Sequence, residues 1–398
     1  MCQDQAKRIL IIGGGEAMLR AAKEAEVNII SIQKEAQFKE AFFKYTDQTF
    51  IFDYEDIDAL LHIVKGIYKS YPFQYVISMT ETGLLPAAAI NDMLSLPGNS
   101  QHTVRLLKDK MAMRNLLNDK GISPVAAATG TSKEDINGFG DSIGWPIIVK
   151  PIDGAGSLGI FYIANAEQVN DIWEQIQVLD LESFIMEEFL EGREVSVEAF
   201  SSDGNHTVIS VTDKITLSNF VEVGHTVPAQ ISNALKIEIV ETVTSMLNAV
   251  GLKEGPSHTE LRLTKNGPKI IESHNRVGGD KIHELVNLVY GLDMVEMACS
   301  KPFGKMEELK GAPKPKGVAA IRFLTPPSGV VKNITGAEEI KNHPAIKELV
   351  VSVKPGEKVS DIKHSLDRPG YIIVQANNLK ETVDLCDQMM GKIQIEIS

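Results

Sequence analysis

A chain of 398 residues exceeds what one hydrophobic core usually supports, so two or three domains are expected. Hydrophobic residues at 43% and charged residues at 23% describe an ordinary globular chain, and no apolar run is long enough to span a membrane. The formal net charge of −13 argues against a nucleic-acid backbone as partner, so any anionic ligand must be met by local cations and backbone N–H groups.

Cys2, Cys299 and Cys386 are far apart and form no CxxC, which leaves neither a disulfide framework nor a zinc site to read. The N-terminus is polar, reads as carrying no signal peptide, and runs directly into the apolar stretch 8–12. A cytoplasmic setting is therefore expected.

Taken in chain order, strand 8–12 is followed by Gly13-Gly14-Gly15, a helix over 16–26 and a strand over 27–32, a βαβ opening with a parallel sheet. Further strands are expected at 49–52 and 75–78, making the first hundred residues a small α/β unit. The triple glycine lacks G-x-G-x-x-G spacing, and no acidic residue ends the second strand, so it reads as a tight turn rather than a dinucleotide site. A helix is expected over 103–122 and a strand over 145–150. Two hairpins follow: 194–200 with 206–212 through Ser202–Asn205, and 258–264 with 269–274 through Lys265–Pro268. The Pro/Lys stretch 311–316 reads as a linker or surface crossing, beyond which the chain becomes β-rich.

Three segments carry chemistry. Lys150 ends a buried strand and precedes a loop containing Gly154, Gly156, Ser157 and Gly159. Glycines let backbone N–H groups approach a ligand closely, and the lysine adds a full charge, which suits a di- or triphosphate. A flexible hairpin beside a surface lysine is the alternative. Phe184–Glu194 is an extended segment ending in acids, able to offer backbone groups and a carboxylate to a nucleoside; a strand with one wet face is its alternative. The hairpin centre near Asn266 sets Glu260 opposite Glu272, with Cβ atoms roughly 5 Å apart. Like charges facing each other destabilise a sheet unless a cation lies between them, and Mg²⁺ prefers a few carboxylates plus phosphate oxygens. Arg276 follows four residues later, placed to stabilise a phosphoryl group or a tetrahedral oxyanion. The alternative is an exposed ladder in which Arg262 and Lys269 neutralise the glutamates.

In this order the segments resemble the ATP-grasp superfamily: Asp109-Lys110, Lys150, the glycine-rich loop, Glu187-Glu188-Phe189-Leu190, Glu194, then Glu260, Glu272 and Arg276. The resemblance covers roughly 100–305 and is closest to bacterial L-amino acid ligases that form dipeptides. Glu272-Ser-His-Asn-Arg-Val-Gly-Gly-Asp280 and Phe220–Pro228 carry that finer likeness. It implies a fold that is α/β and in part α+β, a three-domain ATP-grasp architecture with an N-terminal Rossmann-like parallel sheet. The implied domains are 1–102, 103–190 with the glycine-rich lid, and 191–398 with a β-rich extension after about 311.

The resemblance also implies roles. Lys110, Lys150, Gly154, Gly156 and Ser157 would bind the phosphates of ATP. Glu187, Phe189 and Leu190 would hold the adenine and Glu194 the ribose. Glu260 and Glu272 would ligate Mg²⁺, with Mn²⁺ as an alternative ion. Arg276 and Lys150 would act catalytically. Glu222, His225, Arg276, Gly278 and Gly279 would meet the L-amino acid substrates. Neither nucleic acid nor membrane is an expected partner, and a homodimer is left open. One departure stands out: the usual Glu-x-Asn-x-Arg is here Glu272-Ser273-His274-Asn275-Arg276, with His274 in the asparagine place. Another ATP-grasp ligase or carboxylase, of the purine-pathway or biotin-carboxylase kind, and a non-catalytic ATP-binding module are the rival readings.

Overall fold

The computed structural model describes residues 7–152 and 158–398. Gly154, Gly156 and Ser157 therefore lie outside the described residues.

The opening apolar runs form an all-parallel sheet in the order Gln48–Ile51, Asn28–Gln33, Arg8–Ile12, Tyr75–Ile77. Its central strands, Arg8–Ile12 and Asn28–Gln33, are buried on both faces, which explains runs without alternation. Ile9, Ile11 and Ile29 enter one apolar cluster, and Leu10, Ile12, Ile30 and Ile32 another. Gly13 turns the chain at φ +66°, where a Cβ would lie 2.8 Å from the Tyr54 hydroxyl. The turn is thus filled by protein.

The helix expected over 103–122 is two helices, Gln101–Lys108 and Lys110–Asp119. Asp109 breaks it because its carboxylate accepts from the Ala112 N–H, capping the second helix. The break makes Lys110 a first-turn residue. A four-stranded antiparallel sheet follows, in the order Ala127–Gly130, Phe184–Glu188, Ile147–Pro151, Phe161–Ile163. Helices Lys133–Ile143 and Val169–Val178 bury their apolar sides against it.

The largest sheet has eight strands, in the order Gly267–His274, Gly255–Thr264, Arg193–Ser202, Asn205–Thr216, Glu222–Val227, Val318–Phe323, Gly370–Ala376, Ile346–Val351. Both expected hairpins are present in it. Alternation along Arg193–Ser202 decides what each face does. Val195, Val197 and Ala199 pack beneath helix Asn233–Val250. On the other face Phe200 joins the cluster containing helices Ile282–Tyr290 and Met294–Ser300, whereas Glu194, Ser196 and Glu198 occupy the stretch left open for a site.

Arg114 ties these units together from full burial. Its Nε donates to Glu187 at 3.0 Å and its Nη2 to the Ile270 carbonyl at 2.6 Å. Without Arg114, Glu187 keeps Lys150 as its cation, but the Ile270 carbonyl loses its donor. Arg114→Met is expected to lower stability by about 1–3 kcal/mol, read as an earlier midpoint in urea unfolding; an unchanged midpoint would show the contact to be idle.

Candidate active site

The metal-type carboxylates sit where the hairpin puts them, although by a different count. The turn pairs Thr264 with Gly267 and Leu261 with Ile270, a register that would bring Ile271 opposite Glu260. A bulge between Glu260 and Leu261 inserts one residue and restores the Glu260–Glu272 pair. The centre near Asn266 is thus corrected to the Lys265–Asn266 turn plus a bulge.

The alternative reading, in which Arg262 and Lys269 neutralise the pair, does not hold. Arg262 donates to the Gly192 carbonyl at 3.0 Å and pairs with Glu194 at 2.7 Å, while Lys269 donates to the Pro124 carbonyl at 2.8 Å. The cations on the pair are instead Lys214, 2.7 Å from Glu260, and Lys110, 3.4 Å from Glu272. Two histidines add to them: His258 lies 3.3 Å from Glu260 and His274 lies 3.2 Å from Glu272. Burial pushes Glu272 up, but the His274 hydrogen bond and Lys110 outweigh burial and the Glu260 charge, bringing it down to about 2. Glu260 is likewise pushed up by burial and held well below the usual carboxylate range by Lys214 and His258.

Lys214 is the residue that the sequence reading missed. Its side chain is 1% exposed and reaches Glu194 at 2.8 Å, Glu260 at 2.7 Å and Glu222 at 3.2 Å. Burial alone would lower its pKa; three carboxylates raise it well above the ordinary lysine value. A lone lysine within Val208–Thr216, otherwise apolar and β-branched at most positions, was the available signal.

The remaining expected residues gather around this centre. Lys150 pairs with Glu187 at 2.6 Å, and Glu187 also holds Arg114. Burial pushes Glu187 up, but Lys150 and Arg114 hold it below the usual range. Its carboxylate is thus committed to cations, leaving backbone groups for an adenine. Phe189 and Leu190 line a slot with Ile148 and Ile160, and Phe189 packs edge-on against Tyr162 at 4.9 Å. Glu194 is held between Lys214 and Arg262. The slot shares Lys150, Glu222 and Glu260 with a cleft of about 950 Å³ that contains Lys110, Glu272, Arg276, His225, Gly279 and Asp280.

Arg276 is anchored from the N-terminal region. Its Nε donates to Glu81 at 2.9 Å, and Glu81 also meets Lys108 at 3.0 Å and His274 Nδ1 at 3.3 Å. Burial raises Glu81, but His274, Arg276 and Lys108 together hold it far below the usual range. The turn Thr80–Gly83, ahead of helix Leu84–Leu94, thereby reaches the site itself. Gly278 passes over the buried His258–Glu198 pair; a Cβ there would lie 2.8 Å from His258 Nδ1. His225 meets Asp280 at 3.0 Å, and Glu222 Oε2 accepts from Ser365 at 3.1 Å. Asn275 does not share the His274 position: it lines a separate small cavity beside Tyr75 and Pro256.

The donor set fits a hard cation. Two ionised carboxylates face each other, and among the described residues no group of three or more His, Cys, Asp or Glu could hold an ion unaided. Further oxygens must come from phosphate and water, which is how Mg²⁺ is usually held. Lys110, Lys150 and Lys214 ring the same space, as a polyphosphate requires.

Known proteins match this arrangement in three segments. Residues 19–98 match the ATP-grasp N-terminal domain, 143–284 the ATP-grasp domain, and 322–398 the L-amino acid ligase C-terminal domain 2. Over 399 residues the chain is 25% identical to an L-arginine-specific L-amino acid ligase of Bacillus subtilis, covering 96% of each. The fold superimposes on L-amino acid ligase from Bacillus licheniformis with a TM-score of 0.86 at 22% identity, covering 100% of both chains. It also superimposes on phosphoribosylglycinamide synthetase from Anaerococcus prevotii, with a TM-score of 0.75 at 22% identity over 98% of this chain and 100% of that one. The chain belongs to the ATP-grasp superfamily and is an ATP-dependent carboxylate–amine ligase. Within that class its likeness runs to the L-amino acid ligases. No helix among the described residues is long and apolar enough to cross a membrane.

Lys214→Met would leave three buried carboxylates without their shared cation. ATP-dependent phosphate release is expected to fall at least ~100-fold, and wild-type turnover in this variant would remove Lys214 from the site.

Proposed function

We propose that this protein joins two L-amino acids into a dipeptide through an acyl phosphate, releasing ADP and phosphate. The observation carrying this reading is the facing pair Glu260 and Glu272 beside Arg276, opening on a cleft that is also lined by Glu222, His225 and Asp280. Two substrates with an ammonium and a carboxylate each suit such alternating charge. The relatives named above support the same substrate class, whereas the shared fold alone is equally compatible with a purine-pathway ligase.

In the first step a carboxylate oxygen of one amino acid attacks the γ-phosphorus of ATP, and the bond to the bridging oxygen of ADP breaks. Lys150, Lys110 and Lys214 balance the phosphate charge and Arg276 the carboxylate. When bound at Glu260 and Glu272, Mg²⁺ supplies further neutralisation of phosphate oxygens. In the second step the amine of the other amino acid, having lost its extra proton, attacks the acyl carbon; phosphate leaves and an amide remains. Positioning and charge stabilisation carry the rate, as in phosphoryl transfer generally. Water must be kept from the acyl phosphate, which would otherwise hydrolyse. ATP dependence agrees with a cytoplasmic setting, and a homodimer is the assembly to look for.

Purified protein with Mg-ATP is expected to release phosphate only when L-amino acids are added, with a dipeptide mass appearing in parallel. Release driven instead by a purine-pathway intermediate or bicarbonate would refute the reading. Glu272→Gln is expected to cut turnover at least ~100-fold; full activity would undo the metal assignment.

A further inference from the structure

At the wall of the cleft formed by Asp280, Glu222 and Ser365, the chain fills a cation box with its own Arg368. The guanidinium donates from Nη1 to Asp280 Oδ2 at 2.8 Å and from Nη2 to Asp280 Oδ1 at 2.5 Å. Nη1 also donates to the Glu222 carbonyl at 2.8 Å and Nε to the Ser365 carbonyl at 2.5 Å. Its Cζ lies 3.6 Å from the centre of the Phe323 ring. A bidentate carboxylate, two carbonyls and an aromatic face are what a guanidinium or ammonium ligand requires. Four of the five guanidinium donors are used and the side chain is 5% exposed, so the box is full.

The box adjoins the substrate. Asp280, Glu222, His225 and Ser365 all line the cleft that contains Arg276 and the carboxylate pair. The amino acid to be activated must place its carboxylate at Arg276 and the phosphate end. Its ammonium and side chain then extend toward Glu222 and Asp280. A basic side chain arriving there meets a carboxylate already taken and a second positive charge beside it, in a poorly solvated place. An acidic side chain meets Asp280 and a guanidinium with one donor to spare.

We propose that Arg368 is a specificity-determining residue: by occupying the Asp280–Phe323 box it excludes basic side chains from the activated, N-terminal amino acid and selects an uncharged one. The inference rests on the dipeptide-forming reading above. The C-terminal segment thereby does more than cap the fold. It places one side chain against Asp280 at the wall of the cleft and so sets what the cleft takes.

The test compares kcat/KM for different N-terminal amino acids, with residue order in each product fixed by fragment masses. Wild type is expected to use Arg and Lys at this position at least about tenfold less well than Gln and Met. In Arg368→Met the ratio of basic to uncharged use is expected to rise about tenfold or more, because Asp280 then needs a cation. Arg368→Lys keeps a cation in the box and should keep the ratio low. Independently of turnover, methylguanidinium should raise the melting temperature of Arg368→Met but not of wild type. Wild-type use of Arg at this position equal to that of Gln would overturn the proposal, as would an unchanged ratio or absent methylguanidinium stabilisation in Arg368→Met. If wild type turns over no amino-acid pair at all, the dipeptide reading fails, and the methylguanidinium shift still decides whether the box binds a cation.

Discussion

Two carboxylates are forced face to face across a β-hairpin, and much of the site is arranged around that repulsion. Glu260 and Glu272 are directly paired, buried and ionised. Such a pair is tolerable only with positive charge beside it. The chain supplies that charge from several directions: Lys214 from strand Asn205–Thr216, two strands across the sheet, Lys110 from a helix start, and His258 and His274 from the hairpin itself. The bulge after Glu260 is what makes the pair face at all. Without it the core residue Ile270 would keep its place while Glu272 slipped one position along.

These cations serve twice over in the account. In the described structure they neutralise carboxylates; under the proposed function the same lysines would meet phosphate oxygens. A site built this way keeps its charges balanced with and without substrate, and the exchange of partners is inexpensive because each lysine already has its donors pointed inward. The outer carboxylates extend the pattern. Glu81 holds Arg276, Glu187 holds Lys150, and Asp280 holds His225 together with Arg368. Each functional cation or histidine is thus aimed by an acid from a different part of the chain.

What the sequence revealed follows from the range of the interactions. Strands and hairpins were legible because their apolar alternation and turns are local; the Glu260–Glu272 pairing was expected from hairpin symmetry but is delivered by a bulge that no local pattern announces. The break at Asp109 was missed because helix periodicity continues across it, while a capping carboxylate resets the axis. Lys214 escaped because a single lysine in a strand looks like a solvated face until its three acidic neighbours are brought in from 20, 8 and 46 residues away. Arg368 escaped for a stronger reason: its partner Asp280 lies 88 residues upstream, and no local pattern links them. Glu187 and Glu194, expected to meet the nucleoside, are also ion-paired with Lys150 and Arg114 and with Lys214 and Arg262, which only the tertiary structure could reveal.

The central claim is that the facing carboxylates form a metal site completed by nucleotide phosphates. Mn²⁺ binding followed by electron paramagnetic resonance, with and without a non-hydrolysable ATP analogue, tests it most directly. The account predicts at least about tenfold tighter binding when the analogue is present, and loss of that gain in Glu260→Gln. Equally tight nucleotide-dependent binding in wild type and Glu260→Gln would contradict it.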